Sequence, residues 1–181
     1  MIKKWLNKLA SLSHRKFRWR WINRNIYNTS PSITGKRALQ YSHFFKSMGT
    51  SCFIKSGCII QHTDKISLGN GVSIQYNCLL NGYGSIQIGN DVSLGSNTKI
   101  FSSEHPYNTE PFKYNKLIQK PVIIGDNVIT GADTIILGGI QIGDNVMIGA
   151  GSVVTKNIPS NSVYAGNPAR CIKVLGTNGA E

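Results

Sequence analysis

A histidine lies where a regular pattern in the chain is interrupted. His105 belongs to the segment IFSSEHPYN, and the residues after it, PYNTEPFKYNKLIQK, follow no regular pattern. A neutral imidazole is well suited to take a proton from a hydroxyl near neutral pH, so His105 is the candidate general base. The alternative is a loop histidine that merely precedes Pro106. The other histidines, His14, His43 and His62, have no comparable context, and we expect surface roles for them.

The pattern around His105 is a six-residue repeat. An aliphatic residue, or Thr in one case, returns at every sixth position at Ile124, Thr130, Ile136, Ile142, Ile148 and Val154. The same register is found upstream at Ile54, Ile60, Leu68, Ile74, Leu80, Ile88, Leu94 and Ile100. A period of six fits neither an amphipathic helix nor an ordinary alternating strand, but it fits stacked coils of short strands. The sequence therefore predicts an all-β solenoid.

Departures from the six-residue step indicate where the coils turn. The steps from Ile60 to Leu68 and from Leu80 to Ile88 are eight residues long, and we expect the two extra residues to bulge at corners. Gly, Asn and Asp recur just after the aliphatic positions, as tight corners require. The longest departure predicts a protruding loop at 106–118, with His105 at its base.

Charge divides the chain into two parts. Residues 1–63 contain twelve Lys or Arg and no acid, whereas residues 64–181 contain eight of each, so the formal excess of +12 belongs to the first part. We expect one β-helix at 54–181, with a C-terminal cap, and a basic, partly helical arm and linker at 1–53. The opening MIKKWLNKLASL has apolar residues at helical spacing. This arm fits packing on the β-helix or a neighbouring subunit, or contact with an anionic membrane; nucleic acid is a weaker alternative.

Cysteine usage argues against covalent and metal chemistry. Cys52, Cys58, Cys78 and Cys171 form no CxxC pair, and no cluster has metal-ligand spacing. We expect buried packing in a reducing cytoplasm, with no metal cofactor. The arm is too polar to span a bilayer. We therefore expect a cytoplasmic protein, with association at the inner face of the membrane as the alternative.

Three motifs carry a resemblance to a known family: the IGDNV hexads, IFSSEHPYN around His105, and GAGSVVTKNIPSNSVYAGNPARCIK from Gly149 to Lys173. The chain resembles the hexapeptide-repeat acetyltransferases, most closely the sugar and polysaccharide O-acetyltransferases of the galactoside and maltose type. This resemblance covers about residues 54–173 and implies a left-handed parallel β-helix. It also implies homotrimers, with each active site between neighbouring chains.

The resemblance implies acetyl-CoA as the cosubstrate and places residues on its site. Gly131 and Ala132 match the coil against which the pantetheine arm lies, and Ala150, Thr155 and Lys156 match the last coil. Arg170 matches a cation that contacts the nucleotide phosphates. For Lys156 and Arg170 the alternative is ordinary solvated charge.

The resemblance also implies an acceptor site beside His105. Asn77 matches an Asn of that site, whereas Tyr83 falls near the position where the family has an acidic residue. We therefore expect Asn77 and Tyr83 to bind the acceptor, with the group that orients His105 left open. Glu104 is a poor candidate for that role, because neighbouring residues on a strand point to opposite faces.

The implied function is direct acetyl transfer from acetyl-CoA to a saccharide hydroxyl, with His105 as base, in the assembly of a bacterial surface polysaccharide. Two alternatives remain. One is N-acetylation of an amino sugar, and the other is a noncatalytic β-helix that serves as a binding scaffold.

Overall fold

The computed structural model describes residues 31–107 and 116–176. Residues 1–30 of the arm and linker predicted at 1–53, and most of the loop predicted at 106–118, lie outside the described residues. One helix, α1 (Pro31–Ser42), precedes a series of short strands. Among the described residues no helix is long and apolar enough to cross a membrane.

The strands form a three-sided parallel solenoid of about six turns. Face A consists of β1 (Ser47–Met48), β4 (Ile66–Leu68), β7 (Ile86–Ile88), β12 (Val122–Ile124) and β15 (Gln141–Ile142). Face B consists of β2 (Phe53–Ile54), β5 (Ser73–Ile74), β8 (Ser93–Leu94), β13 (Val128–Thr130), β16 (Val146–Ile148), β18 (Ser162–Ala165) and β19 (Arg170–Val174). Face C consists of β3 (Ile59–Gln61), β6 (Leu79–Asn81), β9 (Lys99–Phe101), β14 (Ile135–Ile136) and β17 (Val153–Val154).

Each coil visits the faces in the order A, B, C. The first coil is β1 to β3, the second β4 to β6, the third β7 to β9, the fourth β12 to β14 and the fifth β15 to β17. We call the corners edge AB, edge BC and edge CA after the faces that they join. A sixth coil begins at Ile158, which bridges to Ile142, and continues in β18.

The repeat positions of the sequence form the core, as predicted. On face B, Ile54, Ile74, Leu94, Thr130 and Ile148 lie one above the other and are all buried. Thr130 fits this apolar column because its hydroxyl bonds to the Thr98 hydroxyl at 3.0 Å and accepts the Gly95 N–H at 3.0 Å. Strand residues between the repeat positions point outward, which gives the alternating burial along each strand.

Side chains on edge AB connect the coils in a polar ladder. Asn70, Asn90, Asp126 and Asp144 each accept a backbone N–H from the preceding coil through a side-chain oxygen, at 2.6 to 2.9 Å. Ser160 continues the ladder by accepting the N–H of Asp144 at 2.9 Å. The GNG and GDN sequences therefore bond one coil to the next at this exposed corner, as well as turning the chain.

The two predicted eight-residue steps both fall on edge CA. The first forms a 3-10 turn at Thr63–Lys65 and the second forms the turn Gly82–Ser85. The long loop leaves the solenoid from the same edge, between β9 and β12. Edge CA therefore takes every insertion of the repeat in the first three coils.

Helix α1 packs on the first coil. Ala38 and Tyr41 are buried against it, and Arg37 is 1% exposed while its Nη1 donates to the carbonyl of Ile54 at 2.9 Å. Burial raises the pKa of the Tyr41 phenol, which therefore stays neutral. The repeat register begins at Ile54, whereas the first strand of the solenoid is Ser47–Met48, paired with β4. Part of the segment assigned to the linker thus belongs to the first coil.

The other end of the solenoid is closed by an antiparallel strand. β18 pairs with β16 in the parallel sheet, and β19 folds back on β18 with Ala165 opposite Arg170. The AGNPA turn between them contains the cis peptide Asn167-Pro168. This segment corresponds to the C-terminal cap that the motif GAGSVVTKNIPSNSVYAGNPARCIK predicts.

Adjacent residues of β7 provide a test of the core. Ile86 is fully buried between Ile66 and Val122, while Gln87 is exposed. We expect Ile86→Ala to lower the free energy of unfolding by about 2–5 kcal/mol, because it leaves a cavity in a central coil. Gln87→Ala should change it by less than about 0.5 kcal/mol. Denaturant unfolding at equal protein concentration measures both, and equal effects would contradict the assigned inner column.

Candidate active site

His105 lies at the base of the loop on edge CA. It directly follows β10 (Ser103–Glu104), which pairs antiparallel with β11 (Ile118–Gln119) to form the stem of the loop. The His105 side chain is exposed. The sequence prediction that His105 stands at the base of a protruding loop is thus met by the geometry of the stem.

Ser102 fixes this stem to the solenoid. Its buried hydroxyl donates to the carbonyl of Asn81 at 2.7 Å and accepts the N–H of Gly84 at 2.8 Å. Its carbonyl accepts the N–H of Lys120 at 2.8 Å, which closes the stem from the other side. A Cβ at Gly84 would overlap the Ser102 carbonyl, so glycine is required for this close approach. Three residues before His105, the backbone is therefore held by the second coil.

Glu104 makes an ion pair across the stem instead of holding the imidazole. Its Oε1 lies 3.0 Å from Nζ of Lys120, and both side chains are about 40% exposed. Pairs at such exposure contribute little to stability, about 0–1 kcal/mol, but they join the two strands of the stem. The sequence did not point to Lys120, because fifteen residues separate the two partners along the chain.

Tyr83 shares edge CA with His105, one coil earlier. Its N–H donates to Oδ1 of Asn81 at 3.1 Å, and its ring meets the ring of His62 edge-on at 5.5 Å between centroids. The ammonium of Lys65 lies 5.2 Å from the ring centroid and donates to the Tyr83 carbonyl at 2.8 Å. The periodic pattern gave no role to His62 or Lys65, and both now accompany a predicted acceptor residue.

Asn77 lies on a different edge. It occupies edge BC of the second coil with a left-handed backbone, φ 58°, and its N–H donates to the Ser56 carbonyl at 3.0 Å. Its side-chain oxygen lies over Gly57, where a Cβ would overlap it. Within one chain, face C separates Asn77 from His105, so the structure does not bring these two predicted residues together.

The predicted acetyl-CoA residues border the same face C. Gly131 and Ala132 lie on edge BC of the fourth coil, and Ala150 lies beside them on the fifth, with the Gly151 N–H donating to the Ala132 carbonyl at 2.8 Å. A Cβ at Gly131 would overlap the backbone of Ala150. This corner therefore presents backbone with almost no side chain over it.

The other three predicted acetyl-CoA residues lie toward the C-terminal end of the solenoid. Thr155 and Lys156 follow β17 on edge CA and are exposed. Arg170 begins β19, is exposed, and donates from Nη1 to the carbonyl of Ala169 at 3.0 Å. No shared contact joins these three residues within the described chain.

Three surface depressions of the described chain lie away from the predicted site residues. Two are on face A, around Ser67 and Gln87 and around Ile142 and Ser160, and one is on face B around Met147. None of these three is lined by a predicted site residue. Within the described residues, no group of three or more His, Cys, Asp or Glu side chains could hold a metal ion.

Three of the four cysteines are buried, as expected, whereas Cys171 is exposed on β19. Burial raises the pKa of the Cys52 thiol. A hydrogen bond with Cys58, together with burial, raises the pKa of Cys78. Thiols of raised pKa are poor nucleophiles, which is unfavourable for a covalent acyl-enzyme at Cys52 or Cys78. The same hydrogen bond lowers the pKa of Cys58, whose side chain is buried.

Comparison with known proteins shows which family shares this fold. Residues 121–156 match the family model described as bacterial transferase hexapeptide (six repeats). The solved maltose O-acetyltransferase from Clostridium difficile 630 is 33% identical, with a TM-score of 0.73, and the match covers 92% of this chain and 89% of that one. The chain belongs to the hexapeptide-repeat acetyltransferase family. The predicted left-handed parallel β-helix is confirmed, as is the prediction that the chain is an acyltransferase.

Other members of the hexapeptide-repeat family extend this match. A galactoside acetyltransferase solved in complex with coenzyme A is 29% identical, with a TM-score of 0.79, over 91% of this chain and 82% of that one. The galactoside O-acetyltransferase of Escherichia coli (strain K12) is 29% identical over 91% of this chain and 81% of its own length. An acetyltransferase of Dictyostelium discoideum is 50% identical over 84 residues, which span 43% of that protein.

Thiol labelling tests the assigned burial. We expect N-ethylmaleimide to add to one cysteine of the native chain, Cys171, and to all four after denaturation, because only exposed thiolates react readily. Cys171→Ser should abolish the native label. Mass spectrometry of the labelled chain counts the additions, and rapid native labelling of Cys58 or Cys78 would contradict the buried placement.

Proposed function

We propose that this chain is an acetyl-CoA-dependent O-acetyltransferase that acts on a saccharide hydroxyl, with His105 as general base. The observation that supports this most is the exposed His105 on a stem fixed by Ser102, at the point where the solenoid register is interrupted. The similarity to galactoside and maltose O-acetyltransferases over most of both chains supports the substrate class. N-acetylation of an amino sugar is the alternative that the acceptor panel below distinguishes.

The proposed step is direct transfer. The neutral imidazole of His105 takes the proton of the acceptor hydroxyl as its oxygen attacks the thioester carbonyl. A backbone N–H stabilises the negative oxygen of the tetrahedral intermediate. When the carbon–sulfur bond breaks, the imidazolium returns its proton to the thiolate, which leaves as coenzyme A. His105 is then neutral again for the next cycle.

The binding of acetyl-CoA is assigned to the corner residues that border face C. Gly131, Ala132 and Ala150 leave backbone accessible to the amides of the pantetheine arm, with Thr155 beside them at the next edge. Lys156 and Arg170 are exposed cations suited to the phosphates. The coenzyme A held by the galactoside acetyltransferase structure supports this assignment.

A homotrimer is part of the proposal. The predicted residues lie on both edges of face C, and five residues of extended chain between those edges span roughly 16 Å. A small acceptor cannot reach Asn77 and His105 of one chain together across that width. A neighbouring solenoid that contributes its own edge would complete the site.

We assign the reaction to assembly of a bacterial surface polysaccharide in the cytoplasm. The basic N-terminal arm, which lies outside the described residues, would then bring the enzyme to anionic membrane where lipid-linked saccharides are built.

Replacement of His105 tests the base. We expect His105→Ala to lower kcat for acetyl transfer by about 10²–10⁴, because the hydroxyl then loses its proton acceptor, while the affinity for acetyl-CoA is retained. Release of coenzyme A with panels of hydroxyl and amino-sugar acceptors measures the rate, and calorimetry measures the affinity. Glu104→Gln, which removes the charge next to His105 without touching the imidazole, should lower the rate by less than about tenfold.

The outcomes separate the alternatives. Equal turnover by the native protein and His105→Ala would show that the base is another group. Transfer to amines alone would favour N-acetylation, and failure to bind acetyl-CoA would favour a binding scaffold.

Mixed trimers test the shared site. Ala150→Trp should block acetyl-CoA binding by filling the bare corner, so this variant and His105→Ala should each be nearly inactive alone. If each site uses His105 of one chain and the Ala150 corner of its neighbour, random coassembly at equal amounts restores about a quarter of native activity. Refolding the two variants together and assaying coenzyme A release measures this. If the two variants are shown to coassemble but activity is not restored, the whole site lies on one chain.

A further inference from the structure

Charge is distributed unevenly over the three edges of the solenoid. Among the described residues, edge AB carries Asp91, Asp126 and Asp144, and edge BC carries Asp133 with Lys55. Edge CA, with the stem of its loop, carries two carboxylates, Asp64 and Glu104, and five lysines: Lys46, Lys65, Lys116, Lys120 and Lys156. The edge that holds His105 is therefore the basic edge of the described chain.

The part of this edge next to the first coil is a cluster of His62, Lys65 and Tyr83, which we call the CA cluster. Lys65 spans from the first turn of edge CA to the second, because its ammonium donates to the Tyr83 carbonyl and lies over the ring. His62 meets the same ring edge-on and is exposed. An ammonium has three N–H donors, and one of the three from Lys65 goes to this carbonyl.

The charge of Lys65 is less compensated than that of Lys120. In the described part of the chain, the ion pair on this edge joins Glu104 to Lys120 at 3.0 Å. Asp64 is exposed and makes no ion pair with its neighbour Lys65 in the described structure. The Lys65 ammonium therefore retains its charge and further N–H donors for an anionic ligand.

The CA cluster lies within reach of a molecule bound at His105. His62 and Lys65 belong to the turn after the first coil, Tyr83 to the turn after the second, and His105 to the turn after the third. Neighbouring coils are about 4.8 Å apart, so the turn of Lys65 and that of His105 are roughly 10 Å apart along the edge. One sugar ring and its substituent span such a distance, and a ring packs well against the accessible part of an aromatic side chain.

We propose that the acceptor saccharide carries an anionic group, a phosphate or a carboxylate, that Lys65 and His62 bind while the sugar lies along Tyr83 toward His105. This inference rests on the proposed acetyl transfer and names the class of its acceptor. The anion supplies the charge-assisted partner that the Lys65 ammonium and the His62 ring nitrogen can bind, and it fixes which hydroxyl faces His105. A neutral saccharide would leave the CA cluster without a ligand.

The test compares matched acceptors. Coenzyme A release is measured with galactose, galactose 1-phosphate, galacturonic acid and the corresponding glucose series, at low and at physiological salt. We expect the native protein to favour the anionic member of a pair by about tenfold or more in kcat/KM, with the preference reduced by salt. Comparison of the phosphate and carboxylate members distinguishes the two sources of charge.

Lys65→Met keeps the apolar stem and removes the charge. We expect it to reduce the anionic preference by about tenfold, mainly through KM for the anionic acceptor. His62→Asn, which tolerates the left-handed backbone at φ 54°, should reduce it in the same direction. The matched control is Lys173→Met, because Lys173 is exposed on β19 opposite Val163, on face B at the far end of the solenoid from Lys65. Lys173→Met should leave the preference unchanged.

Calorimetric titration of the same sugars against the protein saturated with coenzyme A separates two failures. Binding of the anionic sugar to the native protein that weakens in Lys65→Met supports the proposal. Equal binding by both proteins, equal use of neutral and anionic acceptors by the native protein, or an equal loss in Lys173→Met overturns it. If anionic sugars bind in the expected way but no acceptor releases coenzyme A, the proposed transfer fails and the anion subsite stands.

Discussion

The structure depends on the register between successive coils. Each short strand pairs with the strand one coil away, residue for residue, as Ile66, Ile86 and Val122 do on face A. Strands of two or three residues have too few hydrogen bonds to be stable alone, so each coil is stable only on its neighbours. Because a shift by one residue would turn the aliphatic side chains outward, the buried column holds every coil in place.

This constraint decides where chemistry can be placed. Extra residues cannot enter a strand without breaking the register, so they leave at a corner, and in the first three coils they leave at edge CA. The 3-10 turn, the turn around Tyr83 and the long loop follow one another along that edge. The hydrogen bonds of Ser102 to the second coil then position the backbone before His105. The solenoid therefore supports the base of the histidine's loop. A side chain on a free loop would lack that support.

The coils are well predicted from the sequence because their inner positions must all be buried and recur every six residues. Every repeat position from Ile54 to Val154 is buried, including Thr130, whose hydroxyl finds a partner inside. The same period does not say which distant residues meet across an insertion. Two contacts show this: the ion pair of Glu104 with Lys120, and the contact of Lys65 with Tyr83. Each joins residues that meet only when the chain returns after a loop or after the next coil. The six-residue period likewise does not show that Asn77 and His105 lie on different edges of the solenoid, separated by face C.

The helix and the cysteines show a second limit. Arg37 is buried on the first coil because its guanidinium caps a carbonyl that has no further coil to bond, and composition alone assigns such a residue to the surface. Cys171 is exposed because its strand is the last of face B, whereas the lack of cysteine pairs in the sequence led to the expectation that it would be buried. Both exceptions lie at the ends of the solenoid, where the repeat no longer supplies neighbours on both sides.

The most direct measurement is a crystal structure of the protein with coenzyme A and an acceptor saccharide bound together. We predict a His105 ring nitrogen within about 3 Å of one acceptor hydroxyl, with the coenzyme thiol directed at the same oxygen. An acceptor hydroxyl that faces a different base, or a coenzyme thiol that lies away from edge CA, would contradict the account.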